Sequence, residues 1–196
     1  IAFNYLEPAD GNLQAFSHRL YELLLRSCTE FEANCRGILA DNGYSKKGDW
    51  KIRDYHKIER SSRLSEYEVE ITGWSTTRKV FRPFESWSNA HSLKWYQAYN
   101  TVKHNRSEAF ESASLENVLL AVTGLLAVLF SQFFMMSFNA HQSVEIYHTN
   151  DDGWFWREDS IFRVKPPLSW SDEQSYDFRW KDLKDSSDSF ANFSFS

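Results

Sequence analysis

At 196 residues the chain is long enough to bury the core of one domain and short for two. Eight Trp, nine Tyr and sixteen Phe set against seven Gly and four Pro exclude a disordered chain, and a formal net charge of -5 excludes a protein whose whole surface grips nucleic acid. The charge is unevenly spread: residues 46–106 carry 13 Lys/Arg and 7 Asp/Glu, so one basic stretch lies inside an otherwise acidic chain.

Leu13, Phe16, Leu20, Leu24, Cys28, Phe31, Cys35 and Ile38 recur at spacings of three and four, which predicts a long amphipathic first helix. Asp10 or Asn12 is expected to cap its start, and Asp41-Asn42-Gly43 to close it with Gly43 in the left-handed conformation. On one helix Cys28 and Cys35 stand roughly 10 Å apart along the axis, beyond disulfide reach. They read as small core residues in a reducing, cytoplasmic setting. No signal-peptide pattern is visible. In the same helix Glu32 and Arg36 have the spacing of an ion pair.

A short second helix is expected over Asp49–Arg60, with Ile52, Tyr55 and Ile58 on its apolar side. The period then becomes two: Glu66-Tyr67-Glu68-Val69-Glu70-Ile71 reads as a strand with one wet face. Thr72-Gly73 begins a turn, Arg78–Arg82 returns, and Pro83 confines the returning strand to an edge. Asn89 is the expected cap of a third helix running to about Arg106, with Trp95, Tyr99 and Val102 on one side and Asn100 and His104 together on another. The apolar run 115–136 makes a fourth helix. Val118–Met136 is long enough to span a bilayer, yet Gln132 interrupts it and no close Lys/Arg cluster flanks it. A helix apolar on all sides also suits the centre of a bundle, which is the preferred reading. Val144–Thr149 and Trp154–Val164 flank the turn Asn150-Asp151-Asp152-Gly153 and suggest a second hairpin, ended by Pro166-Pro167. The expected organisation is thus one mainly α domain, a four-helix bundle over 1–183 with peripheral hairpins near 66–84 and 142–165. Residues 184–196 are expected to form a disordered tail unless something captures Phe190, Phe193 and Phe195.

Little in the sequence carries chemistry. There is no phosphate-cradling glycine loop, no Cys-rich zinc pattern and no Gly-x-Ser-x-Gly elbow; His141 and His148 lack companion ligands, so no metal or cofactor is expected. The exception is Trp95-Tyr-Gln-Ala-Tyr-Asn-Thr-Val-Lys-His-Asn-Arg106, inside the basic stretch. His104 can exchange protons near neutrality, Asn100 can orient a ring or a phosphate, and Lys103 and Arg106 can stabilise negative charge. Trp95, Tyr96 and Tyr99 are candidate stacking faces for unpaired bases. A plain helix end whose cations complement the C-terminal dipole accounts for the same residues.

Asn100-Thr-Val-Lys-His104 resembles the tail of the Arg-polar-x-x-x-His motif of HEPN domains, helical bundles found in prokaryotic toxin and phage-defence systems. The order of a long first helix ending in Cys28-Thr-Glu-Phe-Glu-Ala-Asn-Cys-Arg36, then the motif, then a strongly apolar helix, is similar too, over about 13–40 and 89–136. The Tyr-Asn-x-Val-Lys-His-x-Arg stretch also resembles that of bacterial proteins for which no activity is implied. The HEPN resemblance implies metal-independent RNA cleavage, usually across a homodimer interface. Tyr99 stands where the motif has arginine, so the arginine's work would fall to Lys103 or Arg106, the latter only if the helix ends there or a second subunit supplies it.

Two readings follow. In the preferred one the chain is a non-catalytic, degenerate RNA-binding or interaction module of a defence or toxin–antitoxin system, meeting RNA, a partner protein or an antitoxin. In the other it is an endoribonuclease using His104. A membrane protein is the third and weakest reading.

Overall fold

A computed structural model of the chain describes residues 2–4, 6–75, 78–89, 92–134 and 148–169. The expected strand residues 144–147, His141 and the segment 184–196 lie outside them.

The first helix, α1, is His18–Asp41, and it buries Leu20, Leu24, Cys28, Phe31, Cys35 and Ile38 as their spacing requires. It starts five residues later than the apolar pattern suggests. Ser17, not Asp10 or Asn12, is the cap, its Oγ accepting from the Leu20 N–H at 3.2 Å. Residues 13–16 are drawn away because another helix start uses them. The N–H of Leu115 donates to Ala15 O at 2.8 Å and that of Glu116 to Leu13 O at 2.9 Å, and Phe16 bridges Ser114. Two N–H groups that the later helix leaves open are thereby satisfied. At the far end Gly43 takes φ +82°, and the N–H groups of Gly43 and Tyr44 donate to Ala40 O and Leu39 O, closing α1 as expected.

The expected second helix is broken into one-turn pieces: α2 (Ile52–Tyr55), a tighter turn over His56–Ile58, and α3 (Glu59–Ser62). The third, α4, is Lys94–His104, and Asn89 belongs instead to a separate 3-10 turn over Glu85–Asn89. After Asn105 a single turn, α5 (Arg106–Ala109), precedes α6, Leu115–Phe133. Among the described residues three helices exceed two turns, so the chain is mainly helical.

The core gathers on Phe31. Rings of Trp95, Phe84, Tyr55, Tyr96 and Trp87 stand 5.2–6.4 Å from it, the separation of favourable tilted and edge-to-face pairs. Helix α6 crosses α1 and α4 through this cluster. Gly124 permits the close approach, since a Cβ there would lie 3.2 Å from Trp95 Cζ2. The polar interruptions of α6 are absorbed internally: Thr123 Oγ1 donates to Leu119 O at 2.7 Å and Ser131 Oγ to Val128 O at 2.8 Å. By length and composition α6 could cross a membrane, but 56% of its most apolar window is buried within the chain, an arrangement compatible with a soluble protein.

The two expected hairpins are one antiparallel sheet. Strands β1 (Glu68–Ile71), β2 (Lys79–Phe81), β3 (His148–Thr149), β4 (Phe155–Trp156) and β5 (Phe162–Lys165) stand in the order β2-β1-β5-β4-β3. Pro83 follows edge strand β2, as its missing N–H demands. Val69 pairs with Phe81 on one side and Val164 on the other, and Val164 with Phe155; this apolar row meets the end of α6, where Phe130 is 5.9 Å from Phe155. The opposite face is drier than the alternating pattern suggests. Glu70 is buried because Arg78, at 3.1 Å, and Arg163, at 3.8 Å, close over it.

Candidate functional site

Helix α4 divides its candidate residues by angle. Trp95, Tyr96 and Tyr99 retain only 1%, 6% and 2% of their surface, so none offers the open stacking face expected from sequence. Their large apolar area is worth more against Phe31 and α6 than in water, and each polar tip has found a partner. Trp95 Nε1 donates to Pro83 O at 2.8 Å. Tyr96 Oη donates to Glu32 Oε1 at 2.6 Å; Arg36 donates to the other carboxylate oxygen at 3.2 Å and to Tyr55 Oη at 3.1 Å. Burial, and then the Glu32 carboxylate, push the Tyr96 phenol far above its ordinary range, so it stays a donor. The expected Glu32–Arg36 pair is therefore real, and it ties α1 to α4 through a buried carboxylate.

Tyr99 accepts from Lys103 Nζ at 2.9 Å, and that ammonium lies 4.9 Å from the ring centroid. The hydrogen bond to Tyr99 outweighs the opposing effect of burial and raises the Lys103 pKa, so the side chain is a cation directed to its own helix. Asn100 is half-buried. Neither Lys103 nor Asn100 lines the cleft described next.

That cleft opens where α4 stops. Asn105 leaves helical geometry at φ -138°, ψ 62°; its side chain donates to Glu108 Oε2 at 2.7 Å and its carbonyl accepts from Ala109, starting α5 on a new axis. The break meets the condition under which Arg106 can join His104. Both line an open cleft of about 620 Å³, together with His18, Asn105, Ser107 and Phe110. His18 is the first residue of α1, brought here by the packing of α1 beside the α4–α5 junction. Arg106 Nη2 donates to His18 Nδ1 at 3.2 Å, which requires the neutral ring to carry its proton on Nε2.

Among the described residues no carboxylate holds the guanidinium. Its carbon lies 4.8 Å over Tyr21 and 5.9 Å over Phe110, and the His18 ring stands 4.8 Å from Phe110. Among the described residues Arg106 makes no ion pair, and no hydrogen bond orients the exposed His104 ring. The arrangement is a guanidinium, two imidazoles, an amide and a hydroxyl around open space, with the positive end of α1 alongside. It is suited to holding a phosphate, and two imidazoles are the groups needed to take and return a proton. Sequence reasoning missed His18, whose 88-residue separation from Arg106 leaves no local pattern to find. Among the described residues no three His, Cys, Asp or Glu side chains cluster as metal ligands.

No family model, no curated protein and no solved structure matches the chain.

Proposed function

We propose that the chain is a HEPN-like module that binds RNA through phosphate contacts in the cleft at the end of α4. In this proposal 52–62 stands in for the fourth helix of the family's bundle. The observation that carries it is the convergence of Arg106, His104 and His18 on one open cleft, with Arg106 unpaired by any carboxylate among the described residues. Arg106 is the main phosphate contact, since a guanidinium forks two N–H groups toward phosphate oxygens. His104 and Asn105 complete the contact, and backbone phosphate rather than base identity supplies the affinity. The family pattern adds a cytoplasmic setting, a homodimer and a partner protein or antitoxin of a defence system.

Binding without cleavage is the preferred form. The motif arginine is replaced by buried Tyr99, Lys103 is committed to Tyr99, and a general base works best when a third group fixes its ring, which His104 lacks among the described residues. The presence of His18 favours the second reading, metal-independent cleavage. There one imidazole takes the proton of the 2′-hydroxyl as it attacks the adjacent phosphorus, and the other protonates the departing 5′-oxygen.

Fluorescence anisotropy with a labelled single-stranded RNA tests the binding. Wild type should bind, and Arg106→Ala should lose roughly ten-fold in affinity across unrelated sequences with a shallower salt dependence. Equal affinity of the two proteins would remove the cleft from the proposal. Incubation of the same RNA with excess chelator tests the second reading: a 2′,3′-cyclic phosphate product lost in both His104→Ala and His18→Ala would replace binding by catalysis.

A further inference from the structure

The aromatic residues that the sequence offers for stacking are in the core, yet Phe110 lines the cleft and a second ring, from elsewhere in the chain, packs against it. Phe16 is 51% exposed, the only aromatic among the large hydrophobic side chains left open in the described residues. Its ring stands at 90° to that of Phe110, centroids 6.0 Å apart, and Phe110 lines the cleft beneath the Arg106 guanidinium. The two rings form a corner, one wall shared with the proposed phosphate contact and the other turned to solvent.

An exposed phenylalanine on a loose loop would mean little. This one is on fixed backbone. Phe16 bridges Ser114, and the carbonyls of Ala15 and Leu13 accept from the first turn of α6 at 2.8 and 2.9 Å. On its other side Ser17 caps α1 and His18 enters the cleft. The platform is therefore ordered before any ligand arrives, and a planar group can stack on it without the entropy of ordering a mobile segment. Cation beside aromatic, both preorganised and both open, is the combination that holds unpaired nucleotides: the guanidinium takes the backbone and the ring takes the base face.

We infer that Phe16, backed by Phe110, is the base-stacking residue of the cleft and makes it selective for single-stranded RNA. The inference rests on the RNA-binding reading above and adds its substrate form and the residue that sets it. Bases in a duplex are already stacked on each other and cannot reach the corner, whereas an unpaired base next to a phosphate on Arg106 can.

The test uses the full chain and three labelled oligonucleotides: a mixed-sequence single-stranded RNA, the same RNA in a duplex, and a strand of the same length with abasic positions. Wild type should prefer the base-bearing single strand. Phe16→Ala should weaken that binding by about 5-fold to 150-fold, the range that stacking one base spans, and leave abasic and duplex affinities unchanged. Phe16→Trp should restore it, which excludes a folding defect. If Arg106→Ala weakens single-strand binding while Phe16→Ala does not, the stacking role is overturned and the phosphate site stands. Equal losses of Phe16→Ala on abasic and base-bearing strands also overturn it. Absence of any RNA binding by wild type overturns both readings together.

Discussion

The rings of Trp95, Tyr96 and Tyr99 and the polar side chains of His104 to Arg106 lie on one stretch of basic, aromatic sequence, yet the rings are buried and the polar side chains are exposed. Trp95, Tyr96 and Tyr99 carry large rings and are buried where α4 packs on α1 and α6; His104 to Arg106 carry polar tips and span the point where α4 stops. The difference shows how a site can be built beside a core without being part of it. Core packing fixes where α4 ends, and the ending, rather than the helix face, turns His104 and Arg106 into one cleft. Substitutions on the buried half should act on stability, and those at the open end on ligand alone.

The largest effect separating the two is Trp95→Ala. It removes a ring in contact with Phe31 and Gly124 and leaves Pro83 O without its donor. About 3–5 kcal/mol of stability should be lost in urea unfolding, with the midpoint moving at nearly constant slope. A loss below about 1 kcal/mol would mean that α4 is not anchored by its aromatic face.

A middle-sized effect sharpens the contrast from another buried charge. Asp54 accepts from Lys46 Nζ at 2.6 Å, the Lys51 N–H at 2.7 Å and Tyr44 Oη at 3.2 Å. Burial alone would raise its pKa, but the Lys46 and Lys51 contacts together outweigh it and hold the carboxyl below its ordinary value. A folded-state pKa below the unfolded one contributes stability above about pH 4, lost as pH falls through the folded value. Asp54→Asn should cost about 1–2 kcal/mol at pH 7, and the two proteins should converge in acid. A gap constant between pH 7 and pH 3 would show that the carboxylate charge is not what holds 46–54 to the core.

How much of this was legible in sequence follows from the range of each interaction. The apolar spacing of α1, the Gly43 stop, the α6 segment and the edge position implied by Pro83 are local, and the structure contains all of them. What failed was long-range competition. Residues 13–16 fit the helical period but serve the start of α6 instead, and β1 pairs with β5 across more than 90 residues, joining two hairpins into one sheet. Glu70 reads as solvated until Arg78 and Arg163 are placed over it. At the cleft, His104 and Arg106 were visible and the condition on Arg106 could be stated, but His18, Phe16 and Phe110 arrive from other elements. The aromatic rings were assigned by proximity in sequence to the cations, whereas burial sorts them by area.

The smallest expected effect decides whether the open end is a site or merely a helix terminus. A cation in the last turn of a helix interacts favourably with the C-terminal dipole, by about 0.3–1 kcal/mol at low ionic strength, and salt screens that interaction. If His104 serves only this purpose, His104→Ala should lower stability in low salt and the deficit should fade as salt is added. In the cleft reading the exposed ring holds none of the described residues, so unfolding free energies should agree with wild type within about 0.5 kcal/mol and their difference should not vary with salt. RNA affinity should fall in the same variant. The two measurements oppose each other: a salt-sensitive stability loss with unchanged RNA binding returns His104 to the helix end, while unchanged stability with weakened binding assigns it to the ligand.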